Sequence, residues 1–209
     1  MRKETVLKIV GLLRRELGKG FTILEISKLL KIGYRPAYNH ISGLEEKDII
    51  LVKKVGSSKQ CFLNLENAQA RHYLQEVDLV RKEELFSNQK LKTILEEIIP
   101  KITNQIIASL HSIVLFGSHA KGTATKSSDI DLLFIVSNIK DKTVRERIER
   151  ACASYQHSHN VKISPLITDI EEFKKMLKSK EMNVGQETKE YGIALYGSEQ
   201  FWRLISWEG

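Results

Sequence analysis

Apolar residues recur at helical spacing through the first segment of the chain. Val6, Leu7, Val10, Leu13 and Leu17 share one face of a helix expected over residues 4–17. Gly18-Lys19-Gly20 ends it. Thr22 and Glu25 have the spacing of a capping box, and Ile26, Leu29 and Leu30 continue a short second helix. Gly33 makes a turn. A third helix starts near Tyr34–Pro36, where proline is tolerated in a first turn, and runs through Ala37, Tyr38, Ile41 and Leu44. The period then changes: Ile49–Lys54 and Gln60–Leu65 read as strands, joined by residues 55–59 as a hairpin.

Residues 66–108 return to helical spacing, with Ala68, Tyr73, Val77 and Val80 as one stripe and Leu91, Ile94, Leu95, Ile98 and Ile102 as another. Pro100 is expected to kink or restart the second helix. A linker with an apolar side must pack on something, and a homodimer contact is the economical reading. Two apolar runs, Ile113–Phe116 and Ile130–Val136, read as buried strands. Asp141–Ala153 is amphipathic through Val144, Ile148 and Ala151. Val161–Ile167 is a strand broken by Pro165, which suits an edge. Ile170–Leu177 is helical, and residues 192–197 form a short extended piece before a terminal helix over Glu199–Trp207. The succession describes a small α/β domain over roughly residues 90–209.

With 209 residues and a hydrophobic fraction of 42%, the chain can bury one medium core or two small ones. No apolar stretch approaches a membrane-spanning length, so no membrane partner is expected. Met1-Arg2-Lys3-Glu4 lacks the apolar run of a secretory signal. Cys61 and Cys152 are too few for a disulfide scaffold or a metal knuckle and read as free thiols of a cytoplasmic protein. Charge is more informative. Residues 1–65 carry 13 Lys/Arg against 6 Asp/Glu, whereas the remainder carries 20 of each. All of the net +7 therefore sits in the first third, which favours an anionic partner there.

The candidate chemistry lies between the two apolar runs of the second half. The first run ends in Gly117-Ser118, and ten residues separate Ser118 from Asp129. Asp129 and Asp131 are two apart, so on a strand both carboxylates face one way. A shared Mg²⁺, or Mn²⁺, relieves their repulsion and keeps open positions for phosphate. Gly117 lets backbone approach a phosphate closely, Ser118 can donate a hydroxyl, and amides at a following helix start can cradle the anion. The plainer alternative is a solvated loop, with Asp129 capping a turn and Asp131 at a sheet edge. Against it, a carboxylate between Ile130 and Leu132 is costly unless exposed, paired or metal-bound.

Two resemblances extend these readings. Three helices followed by a basic hairpin make a winged helix-turn-helix over residues 1–65. The pattern resembles winged-helix transcription regulators, including Leu44-Glu-Glu-Lys-Asp-Ile-Ile50 at the exit from helix three. That family usually has glycine before the first wing strand, where this chain has Asp48. Double-stranded DNA is the implied partner, read by Arg35, Asn39, His40 and Ser42 and clamped by Lys53, Lys54 and Lys59. The other reading of these residues is a dimerisation or protein-docking module with a solvated charged face. Tyr38 reads as core.

Gly117-Ser118 with Asp129-x-Asp131 resembles the signature of the DNA polymerase beta-like nucleotidyltransferases. The match is to their minimal branch, with Ala120, Gly122, Ser128 and the tail Gly192–Gly197 in agreement. Lys121 stands where many members have Arg. The resemblance implies a nucleotidyltransferase domain over 95–209, with a helical linker over 66–94. The whole is then an α/β (α+β) chain: winged helix, linker and a domain with a small mixed sheet. It further implies an NTP substrate, ATP foremost, held by Gly117, Ser118, Lys121 and Ser128, and a metal on Asp129 and Asp131. Many active members carry a third carboxylate on the strand equivalent to 161–166, where this chain has none. Asp169, just beyond, reads as the cap of the next helix, with Glu171 and Glu172 in its first turn, and Lys162 as a phosphate neutraliser.

Three functions follow from these residues. The first is transfer of a nucleoside monophosphate to an acceptor by an enzyme coupled to a DNA-binding module. The second is a DNA-binding regulator whose transferase fold only senses nucleotide. The third is an antitoxin-like modifier of a small helical toxin-like protein, implied by the habits of the minimal branch.

Overall fold

Amphipathic helices need a second apolar surface to cover, and the chain supplies it twice. The computed structural model describes residues 2–159 and 161–206. Two compact units meet within a helix, between Val77 and Asp78.

The first unit contains α1 (Lys3–Arg15), α2 (Ile23–Leu29), α3 (Tyr34–Glu45) and an antiparallel hairpin of β1 (Ile50–Val55) and β2 (Ser58–Leu63). Its core joins Val6, Ile9 and Val10 of α1 to Ile26, Ile41, Leu44 and Ile50, all essentially without solvent contact. The capping box forms as the spacing predicts. Thr22 N–H donates to Glu25 Oε2 at 2.7 Å and Glu25 N–H to Thr22 Oγ1 at 3.2 Å. Asp48 adopts φ 54°, the left-handed conformation that glycine would take there and that aspartate tolerates. The hairpin is tighter than expected. Val55 pairs with Ser58, so only Gly56-Ser57 form the loop. A bridge between Phe21 and Cys61 ties the α1–α2 connection to the hairpin. Burial raises the thiol of Cys61 to about 11, leaving it unreactive.

Helix α4 (Ala68–Leu85) runs across the division. Its buried positions are Ala70, Leu74 and Val77, while Val80, expected on the apolar stripe, is exposed together with Leu79. At the start of the second unit Asp78 is buried. Its Oδ2 accepts from Trp202 Nε1 at 2.7 Å and Ser198 Oγ at 3.0 Å, two donors on one oxygen of a buried carboxylate.

The second unit is built on a four-stranded mixed sheet in the order β5 (Ile163–Asp169), β4 (Ile130–Val136), β3 (Leu110–Phe116), β6 (Ile193–Tyr196). β4 is antiparallel to β3 and parallel to β5, and β6 is antiparallel to β3. Pro165 lies on an edge strand, where its missing N–H is harmless. Side chains alternate across the sheet. Ile113, Leu115, Leu132 and Phe134 pack with α5 (Gln89–Ile106) and α7 (Lys142–His159). Val114 and Leu133, between them in sequence, and Ile135, just beyond, are also buried. Helices α9 (Val184–Tyr191) and α10 (Ser198–Ser206) pack on β3, and α8 (Ile170–Lys178) on β4 and β5. Phe201 links Phe173 and Trp202, with ring centroids 6.0 and 5.0 Å away.

Several expectations change. α5 continues through Pro100 without restarting, and its stripe of Leu91, Ile94, Leu95, Ile98 and Ile102 is buried in this core. α7 extends beyond Ala153. α9 has no counterpart in the sequence reading. Only eight residues long and poor in apolar side chains, it leaves no periodic signal, and its sole cue is Asn183 capping the N–H of Gln186. Tyr38 is half exposed rather than core.

Candidate functional site

The site forms where β3 ends. Phe116 is the register partner of Asp131, so the chain leaving β3 turns directly over that carboxylate. Gly117 makes the turn at φ 68°, and a Cβ there would overlap Asp131 Oδ2. Only glycine fits that conformation and that space. The short helix α6 (Gly117–Lys121) follows, closed by Gly122 in the left-handed conformation. The loop beyond is held by its own hydroxyls. Ser128 Oγ accepts from the N–H of Thr125 at 2.8 Å, so this expected nucleotide-binding side chain is engaged in the turn before Asp129.

The two aspartates sit in different electrostatic surroundings. Asp129 Oδ2 accepts from Lys162 Nζ at 2.5 Å and Ser164 Oγ at 3.2 Å. The bond from Lys162 holds its carboxyl below the usual aspartate range, with that charge and Ser164 adding to the effect. Asp131 shifts the other way. Burial raises it, then the charge of Asp129, then that of Glu187, while His119 and Lys162 oppose. The pair is therefore short of positive charge on its Asp131 side.

Those donors fit a hard divalent cation. Asp131 Oδ2 lies where a Cβ on residue 117 would sit, and the charge of Asp129 acts on Asp131, so two hard carboxylates stand near each other. Among the described residues no third His, Cys, Asp or Glu completes a protein-only metal group.

β5 supplies no carboxylate here. Ser164 is the register partner of Asp131, and Lys162 immediately precedes the strand. Asp169 lies at the other end, paired with Val136, where it accepts the N–H of Glu172 at 2.9 Å as the cap of α8. Lys121 pairs with Glu187 Oε1 at 2.7 Å and lies 5.5 Å over the ring of Tyr191. The hydrogen bond that Lys121 donates to Glu187 raises its already high pKa further.

Glu187 escaped the sequence reading together with α9. Arg81 escaped it too, since nothing in its local sequence marks it. Its guanidinium donates to the carbonyls of Tyr191 and Gly192 at 2.7 Å each and of Ala120 at 3.1 Å. One side chain thus ties the end of α6 to the end of α9.

In the first unit, Arg35 and Asn39 are exposed on α3, and Lys53, Lys54 and Lys59 are exposed on the hairpin. Lys54 and Lys59 are cross-strand partners. His40 is half-buried, and burial lowers its pKa, so it presents less of itself than a groove-reading residue should. Ser42 is also half-buried.

Residues 89–191, which contain the turn, both aspartates and α9, match the nucleotidyltransferase domain family. MJ1305 of Methanocaldococcus jannaschii, a protein adenylyltransferase by assignment, is 35% identical over 81 residues, 38% of this chain. The chain spans only 55% of that relative's length. MJ0141 of the same organism, likewise assigned, is 27% identical over 100 residues, 48% of this chain and 93% of that protein. A toxin–antitoxin structure with AMP-PNP is similar over 54% of this chain and 82% of its own, at 23% identity and a TM-score of 0.38. A mutant of the toxin–antitoxin MntA-HpeT covers 53% and 79%, at 18% identity and a TM-score of 0.36. Among the described residues no helix is long and apolar enough to cross a membrane.

Proposed function

We propose that the second unit transfers AMP from ATP to a hydroxyl of another protein, in the manner of an antitoxin-like modifier. The observation that carries this reading is the glycine turn closed directly over Asp131, two residues from Asp129, within a matched nucleotidyltransferase domain. A protein acceptor is supported by the two similar proteins assigned as protein adenylyltransferases.

In this reading Gly117 and Ser118 cradle the triphosphate, and Lys121 and Ser128 flank it. Asp129 and Asp131 would hold Mg²⁺, which supplies charge neutralisation at the α-phosphate and the departing pyrophosphate. The chain's own residues bind and orient. Glu187 fixes the ammonium of Lys121, and Arg81 fixes α6, so the cradle is set before nucleotide arrives. With no acid at the site end of β5, deprotonation of the acceptor falls to a group elsewhere or to the substrate itself.

We also propose that the first unit is a winged helix-turn-helix binding double-stranded DNA through Arg35 and Asn39 on α3, with Lys53, Lys54 and Lys59 on phosphates and His40 a weaker contributor. The element order, the positive φ at Asp48 and the concentrated positive charge support it.

The test incubates the protein with α-labelled or γ-labelled ATP, Mg²⁺ and a host-cell protein extract. Label on protein from the α-position alone, lost in Asp131→Asn, supports adenylylation. Label from the γ-position, or equal labelling by the variant, contradicts it.

A further inference from the structure

A carboxylate in the place of Ser164 or Lys162 would add negative charge to an already acidic pair. The chain instead places an ammonium and a hydroxyl on Asp129 Oδ2, at 2.5 and 3.2 Å. The anchor of that ammonium is fixed, because the carbonyl of Lys162 accepts the N–H of Ile130 at 2.9 Å, at the very start of β4. Its head is not fixed. Just over half of the Lys162 side chain is exposed, and its four-carbon stem reaches more than one position.

We propose that Lys162 is a tethered counter-cation for Asp129 that competes with the divalent ion and yields to it when nucleotide binds. This rests on the reading that Asp129 and Asp131 take a divalent ion. Without metal, Lys162 holds the carboxylate of Asp129, while Asp131 forms no ion pair among the described residues. An arriving ion must displace the ammonium from Asp129. The triphosphate beside the pair gives the displaced ammonium a new anionic partner. Lys162 thereby makes metal binding weak alone and stronger with nucleotide, a coupling that a third carboxylate would not produce.

Binding of Mn²⁺ alone, read from the free-ion electron paramagnetic resonance signal, tests this on the full chain. Lys162→Met is expected to bind Mn²⁺ about threefold tighter than wild type, as befits release from an exposed ion pair. Lys162→Arg, which keeps the cation, is expected to stay within the wild-type range. In an Asp129→Asn background the Lys162→Met gain should vanish, because the competing bond is already gone. Equal or weaker binding by Lys162→Met, or a gain that persists without Asp129, overturns the proposal while leaving the metal site standing. Absence of Mn²⁺ binding in wild type and Lys162→Met alike, with both folded by circular dichroism, overturns the metal site and this inference together.

Discussion

Gly117, in the turn that leaves β3, lies directly against Asp131 of β4. The backbone of one fills the space beside the carboxylate of the other, and a single added carbon would displace Oδ2. Gly117→Ala therefore meets two penalties, a left-handed conformation and a collision. The conformation alone costs about 1–2 kcal/mol. A melting temperature lowered by several degrees is expected, along with loss of Mg²⁺-dependent ATP binding. A variant that melts and binds as wild type does would show that the turn is looser than the geometry states.

Asp131 sets a pH dependence whose sign can be worked out. Burial, with the charges of Asp129 and Glu187, gives it a higher pKa folded than unfolded. Its favourable contribution is fully present below the unfolded value and is lost as pH rises through the folded one. The metal-free protein at neutral pH thus carries a carboxylate that folding would rather protonate. Asp131→Asn is expected to melt higher than wild type near neutrality, with the advantage shrinking as pH falls into the acid range. Scanning calorimetry in chelator checks this, and an advantage that grows on acidification contradicts it.

Arg81 holds three carbonyls at the ends of α6 and α9. Hydrogen bonds from a charged donor contribute about 1.5–3 kcal/mol each when isolated, and less than additively on one side chain. Arg81→Ala is expected to lower stability by about 3 kcal/mol in urea unfolding. Arg81→Lys, with a point charge in place of a planar fork, should recover only part of it. Full recovery by lysine would mean that charge, not the fork, sets the contact.

What could be read from the sequence and what could not divide by distance along the chain. The turn at Gly117 and the strand carrying Asp131 were legible because each is local, and Thr22–Glu25 and Asp169 were legible as local caps. The bond from Lys162 to Asp129 spans 33 residues, and that from Arg81 to Gly192 spans 111. Such pairings exist only once β4 and β5 are in register and α4 has docked. Glu187 was hidden for a different reason: α9 is too short and too polar to announce itself by periodicity. The apolar stripe of α5 did not reveal what covers it, because a buried helix face looks alike in sequence whatever packs on it.

The first unit yields a separable prediction. Replacing Lys53, Lys54 and Lys59 by alanine should weaken binding to mixed-sequence duplex DNA and lower the log–log salt slope by about 2 to 3, as expected for three lost phosphate contacts. Binding of ATP should not change. An unaltered slope would remove the hairpin from any DNA contact.

The most direct test is a calorimetric titration of the full chain with a non-hydrolysable ATP analogue, with Mg²⁺ and with chelator. Saturable binding that needs Mg²⁺ and disappears in Asp129→Asn/Asp131→Asn, while that variant remains folded, is the result expected. Binding that is indifferent to Mg²⁺ or survives loss of both carboxylates would contradict the site.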